Sequence, residues 1–258
     1  MGILKDRITR KFMRKLERER WINAVTIAAA ECNRQAFHSL KNIYRKKDVV
    51  ICGAGPSLSK YHSIDGAVHI ALNRALLYDK VKFDYFFADD WEGINFIEQQ
   101  ILNYDCKKYF GFHFGPQGAR IPESFIIDAN AQKYYTDAYM FPGAQYLNLV
   151  VDIDKMAIAN THNIGVQIMQ VALFMNPSRI YLVGIDASSN GHFSYEGIDD
   201  KRKKEIDSTL AKYVDVNSVK DEWLKVKELR DVYYPSTRII SINPIGLRGI
   251  FEDEFQDE

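Results

Sequence analysis

The chain has 258 residues, enough for one large domain or a domain with an appendage, and its 47% of apolar residues excludes global disorder. It carries 34 basic and 34 acidic residues, so its overall charge does not indicate a nucleic-acid partner. The charge is unevenly spread, because residues 1–47 hold 13 lysines and arginines against 4 acidic residues. This asymmetry predicts an N-terminal appendage of basic amphipathic helices at 1–47, ahead of a catalytic domain at 48–258.

The cysteines and the N-terminus bear on the compartment. Cys32, Cys52 and Cys106 are far apart and form no CxxC pair, which predicts a reducing compartment without disulfides. The first twenty residues are highly charged and lack the apolar region of a signal peptide. No apolar run approaches the roughly 20 residues that span a bilayer. A cytoplasmic location is therefore expected.

The first predicted element is a basic helix over residues 3–20, ILKDRITRKFMRKLERER. Its apolar residues recur every four positions with basic residues between them: Leu4, Ile8, Phe12 and Leu16. Two roles are open. The helix either lies as a peripheral contact on the anionic inner face of the membrane, or docks on the body of the protein or on a second copy in a homo-oligomer. A second helix is predicted over 22–44.

From residue 48 onward, short apolar runs alternate with helical patterns. The runs are DVVICG (48–53), AVHIAL (67–72), FDYFFAD (83–89), KYFGFHF (108–114), RIYLVGID (179–186) and RIISIN (238–243). Runs this apolar are typical of buried strands in a mainly parallel sheet, and helices are predicted over 163–176 and 218–233. The pattern predicts an α/β, Rossmann-like domain with helices on both faces of the sheet. The segment 115–160, rich in turns and aromatic residues, is interpreted as a lid or an insertion.

A glycine-containing turn follows the first predicted strand. Its residues are Gly53, Ala54, Gly55, Pro56 and Ser57. Backbone N–H groups in such a turn can bind an anion at the carboxyl edge of a parallel sheet. The dinucleotide fingerprint requires a third glycine where Leu58 stands, and the lysine of an ATP-binding P-loop is absent. Proline suits the first turn of a helix. The turn is either a nucleotide site of another kind or an ordinary strand-to-helix connection.

Polar residues end the next two predicted strands. Asn73 offers an amide that can contact a base or a ribose, although a turn asparagine is the simpler interpretation. Asp89 and Asp90 can hold Mg²⁺ on phosphates, bind ribose hydroxyls or act as a base. Because adjacent side chains on a strand face opposite ways, only one is expected to face a cleft, and Asp89 is preferred. The alternative for Asp89 is a helix cap.

The fourth polar group follows the strand at 179–186. Asp186 ends this strand, and the polar loop after it carries His192 between glycine and aromatic residues. A histidine there can serve as a general base near neutral pH, whereas the alternative is a solvated loop residue. Function is favoured because Asp186 is expected at the same sheet edge as the glycine turn.

Together these stretches resemble a known family. The turn VVICGAGPSL, an asparagine after the next strand and the segment NIGVQIMQVALFMNPSRIYLVGID are similar to motifs of the bacterial lipooligosaccharide sialyltransferases of glycosyltransferase family 42. A broader group shares the Gly-Pro-Ser-Leu turn and includes motility accessory factor glycosyltransferases and 6-hydroxymethylpterin diphosphokinases. The resemblance covers residues 48–90 and 160–196, under a third of the chain.

The resemblance implies a Rossmann-like domain with a nucleotide in its cleft. It implies that the turn at 53–57 lies near the phosphate, and that Asn73, Asn163, Gly165 and Asp186 line the nucleotide site. In the sialyltransferases the nucleotide is CMP carrying a sialic acid. The chain departs from that pattern at Ala54, where the family has asparagine, and at Asn163-Ile164, where it has Thr-Ser. It also has no histidine after His192, where the family's catalytic histidine is expected.

The favoured hypothesis is a glycosyltransferase that moves a sugar, expected to be a CMP-linked sialic-acid-like sugar, from a nucleotide donor to a cell-surface glycan or glycolipid. It requires no cofactor, and His192 is the candidate base, with Asp186 and Asp89 next. One alternative is a Mg²⁺-dependent diphosphokinase in which Asp89 binds the metal. The other is a non-catalytic protein that retains the nucleotide fold.

Overall fold

A sheet of parallel strands forms the centre of the protein. The computed structural model describes residues 13, 16, 20, 23–24, 26–113, 120–137, 149–159, 163–187, 191–194, 198–213 and 216–256. The strands within these residues are β1 (Asp48–Cys52), β2 (Val68–Leu72), β3 (Tyr85–Ala88), β4 (Lys107–His113), β5 (Gln132–Asp137), β6 (Ile158–Ala159), β7 (Arg179–Val183), β8 (Arg238–Ile242) and β9 (Glu252–Glu254).

Helices connect most of these strands. The α-helices are α1 (26–37), α2 (Glu98–Asn103), α3 (Glu123–Asp128), α4 (Ile164–Met175), α5 (Asp200–Tyr213) and α6 (Val216–Tyr233). Short 3₁₀ turns cover His38–Leu40, Pro56–Lys60, Asn73–Leu77 and Asn95–Ile97. No helix in the described part of the chain is both long enough and apolar enough to cross a bilayer.

The strand order is β6-β5-β4-β3-β2-β1-β7-β8-β9, and every neighbouring pair is parallel. The chain moves outward from β1 to β6, returns to lie beside β1 as β7, and then moves outward the other way. The direction of winding therefore reverses between β1 and β7, which makes this position the topological switch point of the sheet.

Both faces of the sheet are covered by apolar layers. Alternation along β1 sends Val49 and Ile51 into one layer, and Val50 and Cys52 into the other. Helices α1, α4 and α6 cover the first face, whereas α2, α3 and the three 3₁₀ turns at Pro56–Lys60, Asn73–Leu77 and Asn95–Ile97 cover the second. These four β1 side chains are completely buried. This arrangement confirms the predicted α/β, Rossmann-like architecture.

Helix α1 is anchored to the sheet by both apolar and polar contacts. Phe37 is fully buried and stacks near Tyr109 with ring centroids 5.9 Å apart. The fully buried amide of Asn33 donates to the carbonyls of Tyr135 at 3.0 Å and Met156 at 2.7 Å, and accepts from the Tyr135 N–H at 2.6 Å. The second predicted helix is thus confirmed over 26–37, and it belongs to the core layer of the sheet.

Two other sequence predictions have different outcomes. The basic helix predicted over 3–20 lies outside the described residues except for Met13, Leu16 and Arg20, so its membrane or subunit contact stays a prediction. The segment interpreted as a lid or insertion, 115–160, contributes α3, β5 and β6 to the main fold in its described parts. Its residues 115–119, 138–148 and 160 lie outside the described part of the chain, and the lid or insertion stays a prediction.

Candidate functional site at the switch point

Two loops meet at the carboxyl edge of the sheet between β1 and β7. The Gly53 N–H donates to the Val183 carbonyl and the Gly55 N–H donates to the Gly184 carbonyl, each at 2.8 Å. Open α/β sheets bind their ligands outside the carboxyl ends of the strands at such a switch point. The turn singled out in the sequence therefore lies where the topology predicts a binding crevice.

The glycines at this junction are required by close loop packing. A Cβ atom on Gly53 would lie 2.5 Å from the Gly184 carbonyl oxygen, and one on Gly55 would collide with the Asp186 carboxylate. Gly184 has a φ of +63°, and a Cβ there would collide with the Gly53 carbonyl oxygen. The contact between the loops is therefore sufficient to explain these glycines, and phosphate binding by the turn stays a prediction.

Asp186 ties the β7 loop to the 3₁₀ turn. Its Oδ2 accepts from the Ser57 N–H at 2.9 Å, and its Oδ1 accepts from the Ser57 hydroxyl. Pro56 opens this turn at its first position, as the sequence predicts. Asp186 is only 5% exposed, and burial raises the pKa of its carboxyl against the opposing effect of the two Ser57 hydrogen bonds. Both carboxylate oxygens are therefore engaged in holding the two loops together.

The end of β2 adds an amide and a buried cation. Asn73 begins the Asn73–Leu77 turn with a φ of +49°, and its Oδ1 is buried without a hydrogen-bond partner among the described residues. The next residue, Arg74, is 3% exposed, donates from Nη2 to the Ser194 carbonyl and lies over the Phe96 ring at 4.9 Å. A guanidinium this deeply buried is rare unless it is paired.

The end of β3 points one carboxylate inward and the other outward. Asp89 is half-buried, and its Oδ2 accepts from Gln167 Nε2 of α4 at 2.9 Å. Asp90 is exposed and caps its own turn by accepting from the Glu92 N–H at 3.0 Å. Of the two carboxylates, Asp89 is the one held against α4, and the cleft-facing role predicted for it from the sequence stays a prediction.

A fully buried phenol lies next to Asp89. A Cβ atom on Gly111 would lie 2.9 Å from the Tyr134 hydroxyl and 2.8 Å from the Asp89 Cβ. The two side chains therefore sit on either side of that glycine. The Tyr134 hydroxyl has no hydrogen-bond partner among the described residues. Burial and the negative charge of Asp89 raise the pKa of Tyr134, so the phenol stays protonated.

The start of α4 approaches the same crevice. Asn163 caps the helix by accepting from the Gly165 N–H at 2.8 Å. The Ile185 Cδ1 atom lies 3.4 Å from the position of a Cβ on Gly165 and 2.5 Å from that of a Cβ on Gly53. Ile185 therefore packs between the helix start and the glycine turn. The amino end of this 12-residue helix carries the partial positive charge that favours anions.

His192 lies directly beside the turn. The following residue, Phe193, donates its N–H to the Ala54 carbonyl at 2.9 Å, and the half-buried His192 also bonds to the Ala54 backbone. Burial lowers the pKa of His192, and the positive charge of Arg74 lowers it further, against the raising effects of the Ala54 bond and Asp207. An imidazole that is neutral at pH 7 can accept a proton.

The predicted site residues form two groups, besides Asn73 in the turn after β2 and Asn163 and Gly165 at the start of α4. The turn at 53–57, Asp186 and His192 are joined by direct contacts at the switch point. Asp89 lies at the end of β3 and reaches α4 through Gln167. Sequence reasoning missed Arg74, Gln167 and Tyr134. Only Arg74 carried a usable signal, since it directly follows the asparagine already singled out.

The described part of the structure contains no cluster of side chains that could bind a metal ion together with Asp89. Among the described residues, no three histidine, cysteine, aspartate or glutamate side chains come together as a metal site. The predicted Mg²⁺ role of Asp89 therefore stays a prediction.

An open groove of about 510 Å³ lies at the opposite edge of the sheet, at the amino ends of β1 and β7. It is lined by basic and acidic residues that include Lys46, Lys47 and Asp48. Arg179 in its wall pairs with Asp48 through Nε at 2.9 Å. The volume of the groove lies within the range of about 300–1,000 Å³ that is usual for small-molecule sites. The groove is not at the carboxyl ends of the strands, where open α/β sheets bind their ligands, so the crevice at the carboxyl edge is the stronger candidate.

Comparison with known proteins finds likeness at the level of three-dimensional structure. No family model matches the chain, and no curated protein matches it. The chain is similar to the sialyltransferase CST-II in complex with a trisaccharide acceptor and CMP, at 19% identity over 76% of this chain and 80% of that chain, with a TM-score of 0.44.

Two further solved structures come from Campylobacter jejuni. CstII in complex with cytidine-5'-monophosphate is 20% identical over 76% of this chain and 80% of that chain, with a TM-score of 0.44. The monofunctional alpha-2,3-sialyltransferase Cst-I is 16% identical over 76% of this chain and 75% of that chain, with a TM-score of 0.46. At such low identities and TM-scores, the likeness carries no conclusion about what this chain does.

Proposed function

We propose that the chain is a glycosyltransferase whose nucleotide-sugar donor binds in the crevice at the switch point. The observation that carries the proposal is the contact of the turn at 53–57 with both the β7 loop and the segment of His192. A proton acceptor thus lies beside the crevice that the topology assigns to a ligand.

Two features of the crevice support the binding of a nucleotide. The amino end of α4, separated from the turn only by Ile185, favours the negative charge of a phosphate. Asn73 begins its turn at the same edge, and its buried Oδ1 is an acceptor for an N–H or O–H of a base or ribose. The further identification of the donor as a CMP-linked, sialic-acid-like sugar rests on the sequence resemblance alone.

In the proposed reaction, His192 and the start of α4 each have one role. The acceptor hydroxyl oxygen forms a bond to the anomeric carbon while His192 takes its proton. The bond between the anomeric carbon and the donor phosphate oxygen breaks, and the nucleotide leaves with the electron pair. The partial positive charge at the start of α4 stabilises the negative charge that develops on this leaving group.

Nucleotide binding is the first test. A ligand that binds only the native state raises the midpoint of thermal unfolding, so CMP, UDP, GDP and AMP are compared at increasing concentrations. Stabilisation by one nucleotide, weakened in Asn73→Ala, is expected. Asn130→Ala is the matched control, because Asn130 has the same φ of +49° and lies ahead of β5, at the opposite edge of the sheet. The absence of stabilisation by any nucleotide would overturn the proposal.

Turnover is the second test. Release of the free nucleotide from CMP-, UDP- and GDP-sugars is measured with and without glycan acceptors. We expect His192→Gln to abolish acceptor-dependent release while it retains nucleotide-induced stabilisation. Binding without any turnover across the donors would favour the non-catalytic alternative.

A Mg²⁺-dependent diphosphokinase is the second candidate, and one observation favours it. Arg74 supplies a buried cation near His192, and such a charge can stabilise a transferring phosphoryl group. In this reaction Asp89 would hold the metal. Phosphoryl transfer from ATP that is lost in excess chelator would support it, whereas glycosyl transfer that persists in excess chelator would exclude it.

A further inference from the structure

Arg74 combines burial with contacts to two separate parts of the chain. Its side chain is 3% exposed, and its guanidinium carbon lies 4.9 Å from the centroid of the Phe96 ring. Its Nη2 donates to the carbonyl of Ser194, a residue 120 positions later in the sequence. The planar guanidinium can lie flat on a ring and donate in its own plane at the same time, whereas a lysine ammonium has no plane to stack.

The segment at 191–194 is held at two successive residues. Ser194 is bound by Arg74, and Phe193 donates its N–H to the Ala54 carbonyl at 2.9 Å. The Phe193 ring also packs edge-on against Tyr78, with centroids 5.9 Å apart. Tyr78 directly follows the 3₁₀ turn that contains Arg74. Residues at and just after the 3₁₀ turn that follows β2 therefore supply two of the contacts to this segment.

We infer that Arg74 is a positioning residue: by stacking on Phe96 and bonding the Ser194 carbonyl, it fixes the 191–194 segment so that His192 lies against Ala54. The contacts stand on their own, and the catalytic meaning of the position rests on the proposed function. The inference also joins the asparagine proposed for the nucleotide to the proposed base, because Asn73 and Arg74 are adjacent in one turn.

The charges around His192 make the inference measurable. Arg74 at the end of β2 lowers the pKa of His192, and Asp207 of α5 raises it. Removal of the Arg74 charge should therefore raise the pKa of His192, whereas loss of the contact with Phe96 and of the hydrogen bond to Ser194 should loosen the segment. Arg74→Gln removes the charge as well as the planar guanidinium, whereas Arg74→Lys removes the planar guanidinium but keeps the charge.

The test combines hydrogen exchange with histidine NMR. The Phe193 amide should lose roughly tenfold or more of its exchange protection in both Arg74 variants, the size expected for loss of a hydrogen bond to a charged group. The His192 resonance, assigned by its absence in His192→Gln, should titrate at higher pH in Arg74→Gln and shift less in Arg74→Lys. Unchanged Phe193 protection and unchanged titration in Arg74→Gln would overturn the inference.

The controls separate positioning from folding. Arg179→Gln removes an arginine that also lies over an aromatic ring, Tyr181 at 5.7 Å, but at the opposite edge, and it should change neither readout. If Arg74→Gln does not fold, Phe96→Leu removes only the stacking partner and should lower Phe193 protection on its own. Protection in Phe96→Leu and Arg74→Lys equal to that of the parent chain would overturn the inference.

The same measurements distinguish this inference from the proposed function, since neither readout requires a nucleotide or a sugar. Expected changes in exchange and titration, without stabilisation by any nucleotide, would leave the positioning role intact and overturn the proposed function. If turnover is found, Arg74→Gln should lower kcat at neutral pH with little change in the KM of the donor. An unchanged kcat, with the segment loosened, would overturn the link to catalysis.

Discussion

Gly53 and Gly184 face each other across the switch point with no room for a Cβ atom on either residue. This mutual exclusion lets the loops after β1 and β7 touch, and the contact brings Asp186 to Ser57. The crevice is therefore shaped by contact between the two loops, before any ligand is considered.

Gly184→Ala should be strongly destabilising. It forces a side chain into a φ of +63° and into the Gly53 carbonyl, so we expect a loss of about 3 kcal/mol or more in the free energy of unfolding. Gly66→Ala is the matched control, because Gly66 has a φ of +72° and nothing within 4 Å of its Cβ position. It should cost only about 1–2 kcal/mol. Equal costs in urea unfolding would contradict the steric explanation.

Asp186 provides a test that separates structure from catalysis. In Asp186→Asn, the amide oxygen can accept from the Ser57 N–H while the amide N–H₂ donates to the Ser57 hydroxyl, so both contacts survive without a buried charge. Because burial raises the pKa of this carboxyl, the ionised form destabilises the fold as the pH rises above 3.8 toward the native pKa.

We therefore expect Asp186→Asn to change the free energy of unfolding at pH 7 by less than about 1 kcal/mol, whereas Asp186→Ala costs about 2–4 kcal/mol because it leaves the buried Ser57 N–H without its acceptor. Urea unfolding of both variants checks the difference. If Asp186→Asn folds but loses turnover, the carboxylate has a chemical role. A large loss of stability in Asp186→Asn would contradict the proposed exchange of hydrogen bonds.

Asn33 is expected to be one of the strongest polar contacts of the fold. Asn33→Ala removes the partners of the Tyr135 N–H, the Tyr135 carbonyl and the Met156 carbonyl at once. With the residue fully buried, the free energy of unfolding should fall by about 2–4 kcal/mol. The exposed Gln35→Ala on the same helix is the control and should stay within about 0.5 kcal/mol of the parent. Equal unfolding midpoints for the two variants would show that α1 is not anchored by this amide.

How much of the structure can be predicted from the sequence depends on the kind of contact involved. The central strands are predictable because both of their faces are buried, which makes runs such as VVIC apolar throughout. The outer strands β5, QKYYTD, and β9, EDE, carry polar residues toward solvent and leave no such signal. The edge that holds the site follows from strand order, which the glycine turn and the Gly-Ile-Asp segment already indicate.

The partners of individual site residues could not be predicted in the same way. Arg74 meets Ser194 across 120 residues, and Asp89 meets Gln167 across 78. Such pairs depend on how the loops and helix α4 settle on the finished sheet, and no local pattern in the sequence encodes them. The same holds for the switch-point glycines, whose role in loop packing requires knowledge of both strands.

Two histidines whose pKa is lowered by burial, His69 and His192, should make the stability of the fold fall in mild acid. Burial lowers the pKa of His69, whose Nε2 lies 2.9 Å from the Tyr61 hydroxyl, and that of His192, where Arg74 adds to the effect. Below about pH 6.5, the ordinary value for histidine, the unfolded chain binds more protons than the native one. The contribution of these neutral histidines to the free energy of unfolding is therefore complete above this pH. It is lost as the pH falls below this value toward the lower pKa values of the folded protein. Urea unfolding between pH 7.5 and 5 measures the slope, at roughly half-unit intervals. His69→Gln and His192→Gln should each flatten it, and an undiminished slope in both variants would mean that other groups bind the protons.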